Sequence, residues 1–412
     1  MDAYRTAQHT ARAAYGRLVA YLAVRSHDIA TAEDALSEAF LAALETWPQR
    51  GVPDQPEAWL LAIAKRKLID RARHRQVHTR VTAVLKYATE LECDRTAETS
   101  LNSLLVTLPD RRLQLLFVCA HPALDARIHT PLMLQTVLGL NAAQIASAFL
   151  VAPATMGQRL VRAKAKIRDS GLRFELPQPA QFPDRLSAVL EAIYAAYGTG
   201  WAQVEGADVQ PKGLAQEAIW LARLLVDLLP QAAEAKGLLA LMLFCEARRP
   251  ARRDGGRYVP LEEQDTTRWS KERLIEAEKV LCAAAQQQQL GRFQLEAAIQ
   301  SAHVQRRLGG WQTWDAIAQL YTGLIQIAPT IGAQVSRAAA IARAQSPQAG
   351  LKVLDALPVK GLDHYQPYWC LKAHLLQQLQ QQDAAQKAFN RAIGLCEDPA
   401  IRAFLQQQAQ QC

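Results

Sequence analysis

Apolar positions recur at helical spacing along nearly the whole chain, and the alternating pattern of a half-buried strand is scarce. Leu60, Ile63, Ala64 and Leu68 fall on one helical face, which places Lys65, Arg66 and Arg73 largely on the others. Met156, Leu160, Ala163 and Ile167 make a second stripe, with Thr155, Gln158, Arg159, Arg162 and Lys166 on the opposite side. Trp369, Ala373, Ala385, Phe389 and Ala392 are spaced by 4, 12, 4 and 3. That spacing predicts a helix pair with small residues where the helices touch and aromatics filling the gaps. Trp314, Ala318 and Tyr321 begin a looser copy, and Glu217 to Phe244 reads as a further pair. The pattern predicts an all-α chain.

Breakers divide it. The stretch Trp47 to Pro56 holds three prolines and one glycine and reads as a loop between two helices. Residues 1–80 read as three or four helices, 81–100 as a polar linker, 101–172 as a second helical segment and 183–412 as a longer helical array. Within the second segment Asn141 suits an N-cap, with Gln144 at the capping-box position, and Pro153 suits the first turn of the next helix. Two short helices joined by a tight turn, the second basic outside, read as a helix-turn-helix. An ordinary helical hairpin with a solvated basic face fits the same pattern. The run Arg248 to Arg257 reads as a basic loop, either solvated or binding.

Charge changes the picture through its placement. The 412 residues carry a net charge of +8. Lys65 to Arg80 holds seven Lys or Arg against Asp70 alone, and Arg159 to Arg173 holds six against Asp169 alone. Two separated basic clusters point to two contacts with a polyanion. Just upstream of the first cluster lies an acidic helix with Asp28, Glu33, Asp34 and Glu38, a face that suits either solvent or a basic protein surface. Seven cysteines without a CxxC pair fit reduced thiols of a cytoplasmic protein. No run of eighteen apolar residues is present, so no membrane contact is expected. Cys119 and His121 lack further ligands for a metal. No phosphate loop, nucleophile motif or paired carboxylates stand out, so neither an enzyme nor a cofactor site is expected.

The acidic helix Ala32 to Leu41, followed by Pro56 to Arg73, resembles region 2 of extracytoplasmic-function sigma factors, the promoter-recognition subunits of bacterial RNA polymerase. Leu140 to Arg168 resembles their region 4, and the resemblance spans about residues 10–172. With Gly256 to Leu261 and Trp269, the chain resembles the subgroup bearing a tetratricopeptide-like extension. The resemblance implies that Asp28, Glu33, Asp34 and Glu38 contact core RNA polymerase. It implies that Lys65, Arg66, Arg71, Arg73 and Arg75 contact the −10 element of promoter DNA. Thr155, Gln158, Arg159 and Arg162 would contact the −35 element. It assigns the loop 47–57, with Trp47 as its stacking residue, to capture of a flipped base. Ala152 and Gly157 depart from the family pattern within and beside the reading helix. The expected function is transcription initiation modulated through protein partners of the extension. The alternative is a free helix-turn-helix regulator with a partner- or ligand-sensing array, and the acidic 28–38 face discriminates the two.

Overall fold

The computed structural model describes residues 3–78, 110–149, 151–201, 214–309, 313–358 and 362–411. The expected linker 81–100, together with Cys93 and Cys412, lies outside them. The fold is all-α: eighteen α-helices and one two-residue-per-strand hairpin among the described residues. Among the described residues the chain divides into two compact units, one running to Trp201 and taking in 214–218, the other running from Ile219 onward.

The first unit begins with α1 (Ala3–Ser26), α2 (Ile29–Arg50) and α3 (Pro56–His78), which pack on one another. Leu18, Leu22, Ile29, Leu36, Leu60 and Ala64 are fully buried between them. Helix α2 continues through Pro48 to Arg50, so the expected loop shrinks to residues 51–55. Pro48 lacks an N–H, so α2 forgoes its bond to the Leu44 carbonyl, and the helix closes with the Gly51 amide donating to the Trp47 carbonyl at 3.0 Å. The apolar helix α4 (Arg112–Cys119) and the helix α5 (Ala126–Thr136) pack against α1. Gly16 makes that approach possible, because a Cβ there would sit 2.1 Å from the Val137 carbonyl oxygen. Next come α6 (Ala142–Ala148) and α7 (Pro153–Asp169), with α7 also reaching α2 and α5. Helix α8 (Phe182–Trp201) opens the expected extension, yet it packs on α4 and α5. Phe182 meets Phe117 at 5.4 Å, and Thr130 donates to the Ala192 carbonyl at 2.8 Å. Cys119 is buried and its thiol donates to Thr136 Oγ1, whose hydroxyl in turn donates to the Leu132 carbonyl.

Helix α9 (Ala215–Leu228) spans the division, and the second unit is built around α10 (Ala233–Arg248), buried along almost its whole length. It lies against α11 (Lys271–Ala285) and α12 (Arg292–Arg307). At Gly237 a Cβ would lie 2.6 Å from the Gln294 backbone nitrogen, so only glycine admits the start of α12. The Glu234 carboxylate caps that start, accepting from the Phe293 and Gln294 amides at 2.9 and 3.1 Å. The array continues with α13 (Trp314–Ile327), α14 (Ile331–Ala344), α15 (Pro347–Asp355), α16 (Gln366–Gln378), α17 (Gln382–Gly394) and α18 (Pro399–Ala409), each packed on the next. Ala373, Ala385, Phe389 and Ala392 share one core with Trp369 at its edge, which is the expected pairing of α16 and α17. The basic run 248–257 forms the hairpin β1 (Arg253–Asp254) and β2 (Arg257–Tyr258). Arg253 pairs with Asp398, and Tyr258 meets Phe404 edge-on at 5.6 Å, so the hairpin ties the early array to α18.

His303 is set in this unit against Trp314, with ring centroids 5.5 Å apart. Burial, then the Arg248 and Arg306 guanidiniums, push its pKa down to about 4. The imidazole is therefore neutral in the fold, while the unfolded chain binds its proton near the ordinary value. Its stabilising contribution is complete above about pH 6.5 and is lost as pH falls toward 4. Acidification across that window should cost the wild type up to about 3 kcal/mol more than His303→Gln, read by urea unfolding at each pH. Separately, Gly237→Ala should lower unfolding stability by about 1–3 kcal/mol through overpacking against α12.

Candidate nucleic-acid interface

The α6–α7 pair is assembled by local chemistry. The Asn141 amide donates to Gln144 Oε1 and the Gln144 amide to Asn141 Oδ1, both at 2.9 Å, which completes the expected capping box. Pro153 opens α7 at its first turn. Met156, Leu160, Ala163 and Ile167 are buried, and Thr155, Gln158, Arg159, Arg162 and Lys166 are exposed. Gly157 faces Ala142 across 3.9 Å, so the missing side chain leaves room rather than a contact. A cleft of about 320 Å³ separates α5 from α7, with Arg127, Arg159, Arg162 and Lys166 around a floor of Leu124 and Ile128. Arg159, Arg162 and Lys166 have no ion-pair partner among the described residues. Arg127 reaches the same cleft from the first turn of α5, its guanidinium 3.6 Å from the Asp125 cap. Sequence reading missed it because it stands outside both basic runs. The one local signal is the Asp125 N-cap, which marks Arg127 as a first-turn residue.

The basic helix α3 is less open. Lys65 Nζ lies 5.1 Å from the centroid of the Tyr21 ring, and Arg66 is exposed. Arg71 donates to Asp34 at 3.2 Å and to Glu38 at 2.5 Å, and Lys67 lies 3.2 Å from Glu38. The side chains of Arg73 and Arg75 lie outside the described residues. The acidic and basic faces, expected to serve two separate partners, thus meet each other across α2 and α3. The Lys67 hydrogen bond first, and Arg71 with it, hold the Glu38 carboxyl below the usual range against the opposing effect of burial.

The four expected polymerase-facing carboxylates do not form one exposed face. Asp28 is 5% exposed and caps α2, accepting from the Ala30 and Thr31 amides at 3.0 and 3.3 Å and from the Thr31 hydroxyl at 2.6 Å. Glu33 is turned inward and pairs with Lys164 of α7, itself 8% exposed. Burial pushes the Glu33 carboxyl above its ordinary value although Lys164 pulls it down, and its second oxygen has no hydrogen-bond partner. Only Asp34 and Glu38 reach the surface, and both are held by cations of α3. Trp47, expected as a loop stacking residue, is instead buried in α2, edge-on to Trp59 at 5.6 Å. Glu33 and Trp47 act at helix junctions that a single-helix pattern does not contain, whereas Asp28 is spent on capping its own helix.

Residues 11–77, which span most of α1 through α3, match sigma-70 region 2. Residues 185–285 match a family of unknown function, DUF6596. An uncharacterized protein of Rhizobium meliloti (strain 1021) is 35% identical over 396 residues, covering 96% of this chain and 92% of the relative. No solved structure matches the chain. The region 2 match supports a sigma-70 family factor with a role in transcription initiation and implies binding to core RNA polymerase. No helix among the described residues is long and apolar enough to cross a membrane.

The cap role of Asp28 separates it from a docking residue. Asp28→Ala should lower unfolding stability by about 1 kcal/mol, whereas Asp34→Ala at an exposed carboxylate should change it by a few tenths at most. Urea midpoints of the two variants check this.

Proposed function

We propose that this chain, which belongs to the same family as the Rhizobium meliloti protein and carries a sigma-70 region 2, is an extracytoplasmic-function sigma factor with a tetratricopeptide-like extension. The observation that carries the reading is the region 2 match over α1 to α3, followed in the same compact unit by a helix pair with an unpaired cationic face. Residues 1–80 engage core RNA polymerase and the −10 element, 101–172 act as region 4 on the −35 element, and 183–412 modulate initiation through protein contacts. Asp34 and Glu38 are the surface carboxylates available to polymerase, while Asp28 and Glu33 support the helix and its junction. Lys65, Arg66, Arg71, Arg73 and Arg75 serve the downstream element. Phosphate contacts from these cations supply most of the affinity. On α7, Thr155, Gln158, Arg159 and Arg162 read base edges, with Gln158 suited to adenine and arginine to guanine. Polymerase supplies the chemistry and the factor itself none.

The test is transcription in vitro from promoter-bearing fragments with purified core polymerase, with and without the chain. Start-site-specific transcripts should appear only when the chain is present. Arg159→Ala with Arg162→Ala should weaken promoter binding by about 1–3 kcal/mol for each base that an arginine reads, and should relax upstream sequence preference. Asp34→Lys with Glu38→Lys should weaken core binding. Initiation that ignores all four changes would refute the assignment.

A further inference from the structure

We infer that Arg306 and Arg343, set around the Trp314 indole and completed by Arg248, form a binding site for a compact oxyanion bearing two negative charges. The site lies wholly in the second unit and is independent of the sigma reading. The Arg306 guanidinium sits 4.4 Å from the Trp314 ring centroid, and the Arg343 guanidinium 5.9 Å from it. His303 meets the same indole edge-on. Arg248 reaches in from the last turn of α10 and donates to Gln300, one turn before His303 on α12. Helices α10, α12, α13 and α14 therefore each supply a residue to one cluster.

Positive charge in this cluster is not balanced. Glu262 pairs with Arg306, and Arg248 donates to a neutral amide. Arg343 is exposed and has no hydrogen-bond or ion-pair partner among the described residues. Two histidines register the excess. Burial first, then Arg248 and Arg306 against Glu262, push the His303 pKa down, and burial followed by Arg343 does the same to His374 on α16. The charges acting on the two rings are thus three guanidiniums and one carboxylate, an excess of two. Donors are unmet as well. Arg248 Nε, Arg306 Nε and His303 Nδ1 are buried without a hydrogen-bond partner. A buried donor in that condition bears its full desolvation cost. Guanidinium donors meet oxyanions in a planar fork, and the chain itself lays the Glu262 carboxylate on Arg306. The exposed Arg343 beside the half-buried Trp314 provides the entry. A nucleic-acid backbone would need an extended row of exposed cations. Arg307, the next cation of α12, is instead spent on the Gln264 carbonyl at 3.1 Å, so the site suits one compact anion and not a polyanion.

Sulfate is the probe, because it stays dianionic over the range in which histidine titrates. The histidine rings of the full chain are followed by NMR against pH, in sulfate or in chloride at equal ionic strength. The His303 signal is the one lost in His303→Gln. In chloride His303 should titrate only near pH 4. Saturating sulfate should raise that midpoint toward the ordinary value near 6.5, because the bound anion offsets the Arg248 and Arg306 charges. Calorimetric titration at neutral pH should show saturable binding, and Arg343→Gln should weaken it at least tenfold. Arg343 is exposed, so this change does not disturb the packing. Lys352→Gln removes an exposed cation of α15 and should leave sulfate affinity within twofold. Glycerol phosphate and malonate, compared at neutral pH, then tell a phosphate ester from a dicarboxylate as the preferred ligand. Absence of saturable sulfate binding, or a His303 midpoint that sulfate leaves in place, would overturn the site. So would binding that Arg343→Gln does not weaken, since the anion would then sit elsewhere.

Discussion

The burial of charge at the junction of α2 and α7 is the constraint on which the first unit depends. Glu33 and Lys164 face one another where α1, α2 and α7 converge, and the neighbouring groups respond to the same shortage of water. Burial pushes the Cys119 thiol up to about 12 and raises the Tyr15 hydroxyl, with the Glu33 charge adding to both. Removing either partner of the pair leaves the other charged and unsolvated, which costs far more than the pair contributes. The junction is therefore intolerant of losing one partner alone.

Local chemistry was readable from the sequence; the seams between helices were not. The buried stripe of α7, the Asn141–Gln144 box and the Ala–Phe pairing of α16 and α17 each depend on residues within one or two turns, so spacing alone finds them. Asp28 looked like one more acid on a charged face, but the residue before Ile29 is where α2 needs a cap. Glu33 and Lys164 carried no sign of each other across 131 residues. Lys164 even counted toward a basic cluster whose other exposed members face solvent. Trp47 and Pro48 read as loop because proline marks a boundary, yet the boundary lies two residues later.

The second unit shows the same rule with different residues. Its array is a succession of neighbouring helices, the quasi-linear arrangement that stacks of helix pairs adopt. Two devices lie outside that scheme. Glu234 spends its carboxylate on the first amides of α12, and the β1–β2 hairpin reaches α18 through Arg253 and Tyr258. A stack held only by nearest neighbours frays from its ends. The hairpin adds a long-range tie at the last helix, where such fraying would otherwise begin.

Charge placement links the two faces of the first unit. On α7, Arg159, Arg162 and Lys166 keep their full field, whereas on α3 the field of Lys67 and Arg71 is neutralised by Asp34 and Glu38. A partner that takes those two carboxylates must leave Lys67 and Arg71 without their anions. The cationic field of α3 then strengthens toward any phosphate nearby, within the ~8–10 Å over which salt leaves it unscreened. By linkage the converse would hold, because phosphate on Arg71 would release Asp34 and leave Glu38 to Lys67 alone. Any protein binding at α2 and any nucleic-acid binding at α3 would thus be positively coupled by the ion pairs that each must displace.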